Sequence, residues 1–225
     1  MALINLKCGT NLFQSNIEQL VIAGWTGRNR EAVEHHIKEL EAIGVARPKT
    51  VPCFYRVAEY LLSTKSEFQF CGPDSSGEVE YVIFSLPTGL FVGLGSDHTD
   101  RKVEAYGVTV SKQMCPKPIS SEVWSLDSVK DHWDQLVTRS WVTRNGHREL
   151  YHQEGALARM LTPQDLISQY TGSSLLPAGT AMFCGTHSVL GQIGGGELFE
   201  MELFDPVTNL SIRHAYRTQI LDIVD

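Results

Sequence analysis

"GEVEYVIFSLPTGLFVGLGSD", Gly77 to Asp97, decides how this chain is read. Two runs rich in β-branched and aromatic residues flank a turn at Pro87 to Gly89, which is the pattern of a β-hairpin. Glu78 and Glu80 are two apart, and the period of two in a strand puts both carboxylates on one face. An antiparallel return brings Asp97, at the far end of the second run, beside the strand start that carries Glu78. Like charges held that close repel unless a cation lies between them. Three carboxylates in reach make a hard oxygen site suited to Mg²⁺, Mn²⁺ or Ca²⁺. A solvated strand edge is the bland alternative for an isolated pair of glutamates.

Outward from the hairpin, "AYGVTVS", "LVTRSWVT", "AMFCGTHS" and "ELFEMELF" read as further strands, and Leu20 to Ala23 as a buried one. "NREAVEHHIKELEAIGVARP" reads as a helix capped by Asn29, with Val33, Ile37 and Leu40 at helical spacing and a stop at Gly44 and Pro48. "RVAEYLLST" after Pro52 and "PQDLISQY", with Pro163 in its first turn, read as two more. There is no regular βαβ alternation. The expected fold is mainly β within the α+β class, a single domain over 1–225. Residues 1–65 are expected to form a short helical N-terminal part and 66–225 a β-rich catalytic core.

A chain of 225 residues buries a core without disulfide support. The net charge of −7 argues against nucleic acid or an anionic membrane as partner. Five widely spaced cysteines, no CxxC, no leader pattern and no membrane-length apolar run fit a reducing cytoplasm. "GQIGGGELFE" lacks the lysine and the strand-to-helix setting of a phosphate loop and reads as a flexible loop.

Five motifs in order carry a resemblance. Glu78-Val79-Glu80, "SDHTDRK" (96–102), "SKQMCPKP" (111–118), "RNGHRELYHQ" (144–153) and "PAGTAMFCGTHSVLG" (177–191) resemble the signature of the fumarylacetoacetate hydrolase superfamily. That signature runs ExE, "NDxSARD", "KxxDxxxPxGP", "NGxxxQ" and "PGDxxxTGTPxGVG". The likeness spans about residues 20 to 215, and within the superfamily it is to a bacterial branch classed as a domain of unknown function. It implies a mixed β-sandwich roll and Glu78, Glu80 and Asp97 as ligands of a divalent metal. Arg101 and Lys112 are then catalytic charges facing substrate, with Thr186, Arg28 and Gln153 as substrate contacts. "GRNREAVEHHIKEL" resembles "GRNYADHxxE", whose histidine and glutamate act on water. His36 and Glu39 have that spacing, with His35 the alternative base.

The implied activity is metal-dependent cleavage of a carbon–carbon bond in a small oxo acid or 1,3-dicarbonyl compound through a stabilised enolate. The partner is a small carboxylate substrate, and the assembly a homodimer. Decarboxylation, isomerisation or dehydration on the same site, a non-catalytic metal-binding scaffold, and an amidase using Cys115 or Cys184 are the other readings. The chain departs from the pattern in three places. Only sixteen residues separate Glu80 from Asp97, Glu104 stands where a glutamine is frequent, and His187 replaces the proline of "TGTP". His98 is expected beside the ligands rather than among them. His132, His147, His152 and His214 read as surface residues, and both Cys115 and Cys184 as small buried apolar ones.

Overall fold

The computed structural model describes residues 1–42 and 47–224, without the side chains of residues 36, 39, 40, 42 and 153. The first elements are β1 (Ala2–Cys8), β2 (Asn11–Ile17), β3 (Gln19–Gly24), α1 (Arg30–Ala42), β4 (Cys53–Val57), β5 (Leu62–Ser63), β6 (Glu67–Cys71) and β7 (Ser75–Ser76). The centre holds β8 (Val79–Leu86), β9 (Gly89–Ser96), β10 (Thr99–Asp100), α2 (Arg101–Glu104), α3 (Val108–Met114), β11 (Lys117–Ser125) and α4 (Leu126–Val129). Then come β12 (Val137–Arg144), β13 (His147–Ala156), α5 (Pro163–Thr171), β14 (Thr180–Phe183), β15 (Leu198–Asp205) and β16 (Leu210–Leu221).

The large sheet runs β2-β1-β11-β9-β8-β14-β3-β4, with β5 added on β11. A second sheet, β13-β12-β15-β16-β6, packs beside it. β8 is buried on both faces. Tyr81 and Ile83 join Val142, Phe199, Met201 and Tyr216 in the core between the sheets. Val82 and Phe84 join Ile4, Leu6, Ile22, Ile119 and Phe183 in a second core on the opposite face. A strand covered on both sides reads as a continuous apolar run, and that is how "YVIF" reads. The fold is mainly β, within the α+β class. Among the described residues no helix is long and apolar enough to cross a membrane.

The hairpin forms as its sequence dictates, in register from Val79↔Ser96 to Leu86↔Gly89. Asn29 caps α1, its side-chain oxygen accepting the backbone N–H of Glu31 and of Ala32, both at 3.1 Å. Thr162 and Asp165 close a capping box ahead of Pro163, and left-handed Gly172 ends α5.

Three expectations are corrected. "RVAEYLLST" is not an α-helix: Cys53–Val57 is spent on pairing with β3, which leaves only a 3₁₀ turn at Glu59–Leu61 before β5. "AYGVTVS" is not a strand, because its residues from Val108 enter α3, which turns Ser111 and Lys112 inward. The valines there favour a strand, but the pull of buried carboxylates on Lys112 overrides local propensity. Residues 1–65 hold one helix of 13 residues but also β1 to β5. The N-terminal hairpin buries only Ile4, Leu6 and Ile17, too sparse an alternation to stand out in the sequence.

Candidate metal and substrate site

Strand register builds the acidic centre. Glu80 lies opposite Gly95 and Val79 opposite Ser96, so one step further Glu78 faces Asp97, whose N–H donates to the Glu78 carbonyl at 2.9 Å. One oxygen from each of Glu78, Glu80 and Asp97 lies within 4.8 Å of the others. Asp97 is wholly buried and Glu80 nearly so. Gly95 is required here: a Cβ at that position would come within 2.6 Å of the Phe183 ring, which fills the face beside Glu80.

The segment following β9 supplies the counter-charges. Arg101 reaches Glu78 at 3.0 Å and Glu104 at 3.0 Å, and its Nε donates to the Ser76 hydroxyl at 2.7 Å. Glu104 therefore serves as the outer anchor of Arg101. The Lys112 ammonium donates to Asp97 Oδ2 and lies 3.5 Å from Glu78. Lys117 contacts the other Asp97 oxygen at 3.0 Å and the His98 carbonyl at 2.5 Å.

These contacts sort the carboxyls by charge state. Burial opposes ionisation of Glu78, but Arg101 and Lys112 outweigh it and hold its pKa below the usual carboxylate range. Glu80 goes the other way. Burial, then the charges of Asp97 and Glu78, push its pKa well above the ordinary value, with Lys112 and the Gly185 N–H only partly compensating. Burial also works against the Lys112 ammonium, but Asp97 and Glu78 raise it above the usual lysine value. A divalent cation fits this donor set. All three groups are hard oxygen donors, and a cation among them relieves the repulsion from Asp97 and Glu78 that adds to burial in raising the Glu80 pKa. Glu78, Glu80 and Asp97 could hold a metal.

One loop ties the centre to the rest of the predicted site. The Gly185 N–H donates to Glu80 Oε2 at 2.7 Å, and Thr186 follows it directly. The Thr26 hydroxyl donates to the Cys184 carbonyl at 2.9 Å, pinning the stretch before α1 against the same loop. The side chains of His36 and Glu39 on α1, and of Gln153 on β13, lie outside the described residues. Arg28 is not brought to the carboxylates: its fork grips Asp134 at 2.5 and 2.9 Å, and its Nε donates to the Met160 carbonyl at 2.6 Å. Surface hollows of about 680 Å³, along Trp141 and Arg213, and about 330 Å³, along Trp133 and Pro163, are lined by none of the acidic centre's residues.

A family model described as a protein of unknown function, DUF2848, matches residues 23–216. The chain belongs to that family. No curated relative matches the sequence. Solved structures similar to it include a fumarylpyruvate hydrolase from Pseudomonas aeruginosa in complex with Mn²⁺ and pyruvate. The two share 13% identity and a TM-score of 0.62, over 98% of this chain and 97% of that one. A 2-keto-3-deoxy-D-arabinonate dehydratase complexed with magnesium and 2,5-dioxopentanoate matches at TM-score 0.65 and 13% identity, over 95% of this chain and 78% of that one. A yeast fumarylacetoacetate hydrolase family protein matches at TM-score 0.63 and 17% identity, over 91% and 93%. Within the DUF2848 family, then, the chain has the fumarylacetoacetate hydrolase fold.

One histidine differs from its sequence reading, while His98 and the two buried cysteines agree with theirs. His152 is wholly buried, not a surface residue, because β13 turns it under the loop that holds Val189. His98 spends both ring nitrogens on Tyr216 at 2.9 Å and Ser75 at 3.0 Å and stacks on Phe70, so it packs next to Asp97 and ligates nothing. Burial pushes the Cys115 thiol up to about 11 and the Cys184 thiol well above its usual value, which keeps both protonated at neutral pH. Lys117 was missed as a site residue. No local signal marks it: only the pairing of Ile119 with Gly95 puts Lys117, two residues earlier, on the face of β11 that carries Asp97's neighbours.

Proposed function

We propose that this protein is a divalent-metal-dependent hydrolase that cleaves a carbon–carbon bond in a small oxo acid or 1,3-dicarbonyl compound. The convergence of Glu78, Glu80 and Asp97, with Arg101 and Lys112 against them, carries the reading. Glu78, Glu80 and Asp97 would hold a Mg²⁺ or Mn²⁺ ion, which would supply Lewis acidity toward the substrate.

The chain's own residues have separable tasks. Lys112 and Arg101 place positive charge where an electron pair collects as an enolate. Thr186, next to the Gly185 that holds Glu80, positions the substrate carboxylate. His36, oriented by Glu39, takes a proton from water, whose oxygen attacks the carbonyl. The carbon–carbon bond then breaks, its electron pair passes to the α-carbon fragment, and the proton returns there. Fold likeness to the dehydratase supports a second reading, loss of water from a 2-oxo acid on the same charges.

Turnover of a panel of 3-acylpyruvates and β-keto acids, with EDTA and with Mg²⁺, tests this. Mg²⁺-dependent cleavage of an acylpyruvate into two acids, lost in His36→Ala, is expected. Loss of CO₂ or water alone, indifferent to that substitution, favours the second reading. Metal binding with no turnover across the panel leaves a scaffold.

A further inference from the structure

Asp97 stands where strand pairing runs out. The hairpin ladder that assembles the acidic centre ends at Val79↔Ser96, and β10 does not begin until Thr99. In between, Asp97 keeps a main-chain tie to β8, its N–H donating to the Glu78 carbonyl at 2.9 Å. Pairing therefore brings the aspartate beside the glutamates without fixing how its carboxylate is aimed.

Its two neighbours in the chain are held by a single hydroxyl from the second sheet. Ser96 and His98 are two apart, and in extended chain both point to the face opposite Asp97. There the Tyr216 hydroxyl of β16 lies 2.8 Å from Ser96 Oγ and 2.9 Å from His98 Nδ1. The network continues at both ends. Ser96 Oγ accepts the backbone N–H of Glu78 at 3.1 Å, and His98 Nε2 lies 3.0 Å from the Ser75 hydroxyl on β7, which pairs with β10. Ser75, Ser96, His98 and Tyr216 are all more than nine-tenths buried, so a broken link leaves a polar atom bare in a dry core. Both rings are fixed by packing. Tyr216 stacks on Phe199 at 5.6 Å and meets Phe68 edge-on at 5.7 Å, while His98 stacks on Phe70 at 4.0 Å. Gly77, just before Glu78, leaves the room: a Cβ there would come within 2.6 Å of the Tyr216 hydroxyl.

We propose that Tyr216 is a positioning residue of the acidic centre. Its hydroxyl grips Ser96 and His98, and so sets the aim of Asp97 between them. Through Ser96 it also steadies the strand start that carries Glu78, so that the carboxylates are preorganised for a cation. This rests on the divalent-metal reading above and adds to it a residue of the second sheet that touches none of the ligands' carboxylates. A hydroxyl that served only the core would support stability alone; one that aims a ligand governs cation affinity as well.

Tyr216→Phe deletes the hydroxyl and keeps the ring contacts. Ser85→Ala is the control, since Ser85 lies toward the other end of β8 and its buried hydroxyl donates to the Leu176 carbonyl at 2.8 Å. Mn²⁺ affinity, counted by electron paramagnetic resonance, and the melting temperature in EDTA are measured for the wild type and both variants. Both variants should melt lower. Removing a partner that touches a metal ligand typically costs about tenfold or more in affinity, and Tyr216 acts one bond further out. Mn²⁺ affinity should therefore fall about fivefold or more in Tyr216→Phe and stay unchanged in Ser85→Ala. An affinity within about twofold of the wild type in Tyr216→Phe, the sign of a core hydroxyl, overturns the proposal. So does an equal loss of affinity in both variants, the sign of general loosening. A wild type that takes no Mn²⁺ defeats the metal reading itself, and this proposal with it. Should Tyr216→Phe not fold, the proton spectrum of the wild type decides. A slowly exchanging Tyr216 hydroxyl resonance that moves between EDTA and Mg²⁺ is expected, and one that does not move overturns the proposal.

Discussion

Replacing Lys117 with methionine perturbs the acidic centre in two opposite directions. The lysine is wholly buried, 3.0 Å from Asp97 Oδ1 and 2.5 Å from the His98 carbonyl. Burial pulls its pKa below the usual lysine value even with Asp97 beside it. Methionine keeps the length and removes the charge, leaving Asp97 buried with Lys112 as its remaining ammonium contact. Breaking a buried ion pair from one side costs about 3–5 kcal/mol. At about 2–4 °C per kcal/mol for a domain of this size, the metal-free melting temperature should fall by roughly 6–20 °C. Cation affinity should move the other way. Two unit charges 4 Å apart interact by about 4 kcal/mol at an effective dielectric of about 20, and a third of that repulsion relieved is already a tenfold gain. Mn²⁺ should therefore bind Lys117→Met at least about tenfold more tightly, and saturating Mn²⁺ should close much of the stability gap. Calorimetric melting in EDTA and Mn²⁺ titration of the same preparation read both signs. Unchanged melting in EDTA, or weakened Mn²⁺ binding, would refute the argument that Lys117 competes with a cation for Asp97.

The other predictions use the charge states of single groups. Glu80 binds its proton more tightly in the folded chain than its ordinary value of 4.5. Its stabilising contribution is therefore complete below that pH and is lost as pH rises through the raised value. In EDTA, urea midpoints of the wild type should drop relative to Glu80→Gln as pH is raised through the Glu80 value above 4.5, and a drop already complete at 4.5 would contradict the shift. Iodoacetamide should leave metal-dependent turnover intact, since Cys115 and Cys184 are buried and protonated, whereas EDTA should abolish it; the reverse pattern would indicate a thiol nucleophile.

The acidic centre was legible because it depends on two short-range rules, the period of two and the register of a hairpin with a two-residue turn. Together they fix Glu78 opposite Asp97 without knowledge of the rest of the fold. Lys112 was legible as a charge, but its helix was not, because "GVTVS" has strand propensity and only the distant carboxylates make α3 preferable. Lys117 and His152 were illegible for a related reason. Whether a lysine or histidine is buried depends on which strands cover it, and the pairing of β11 with β9, or of His152 with Val189, spans parts of the chain far apart in sequence. Arg28 sat in a matching motif, yet Asp134, more than a hundred residues away, claims its guanidinium.

Direct counting of bound Mn²⁺ by electron paramagnetic resonance tests the central claim, in the wild type and in Glu80→Gln and Asp97→Asn. The account predicts binding in the wild type and losses of at least about tenfold in each variant, no smaller than the removal of an outer partner gives at other metal sites. Unchanged Mn²⁺ binding in both variants would contradict it.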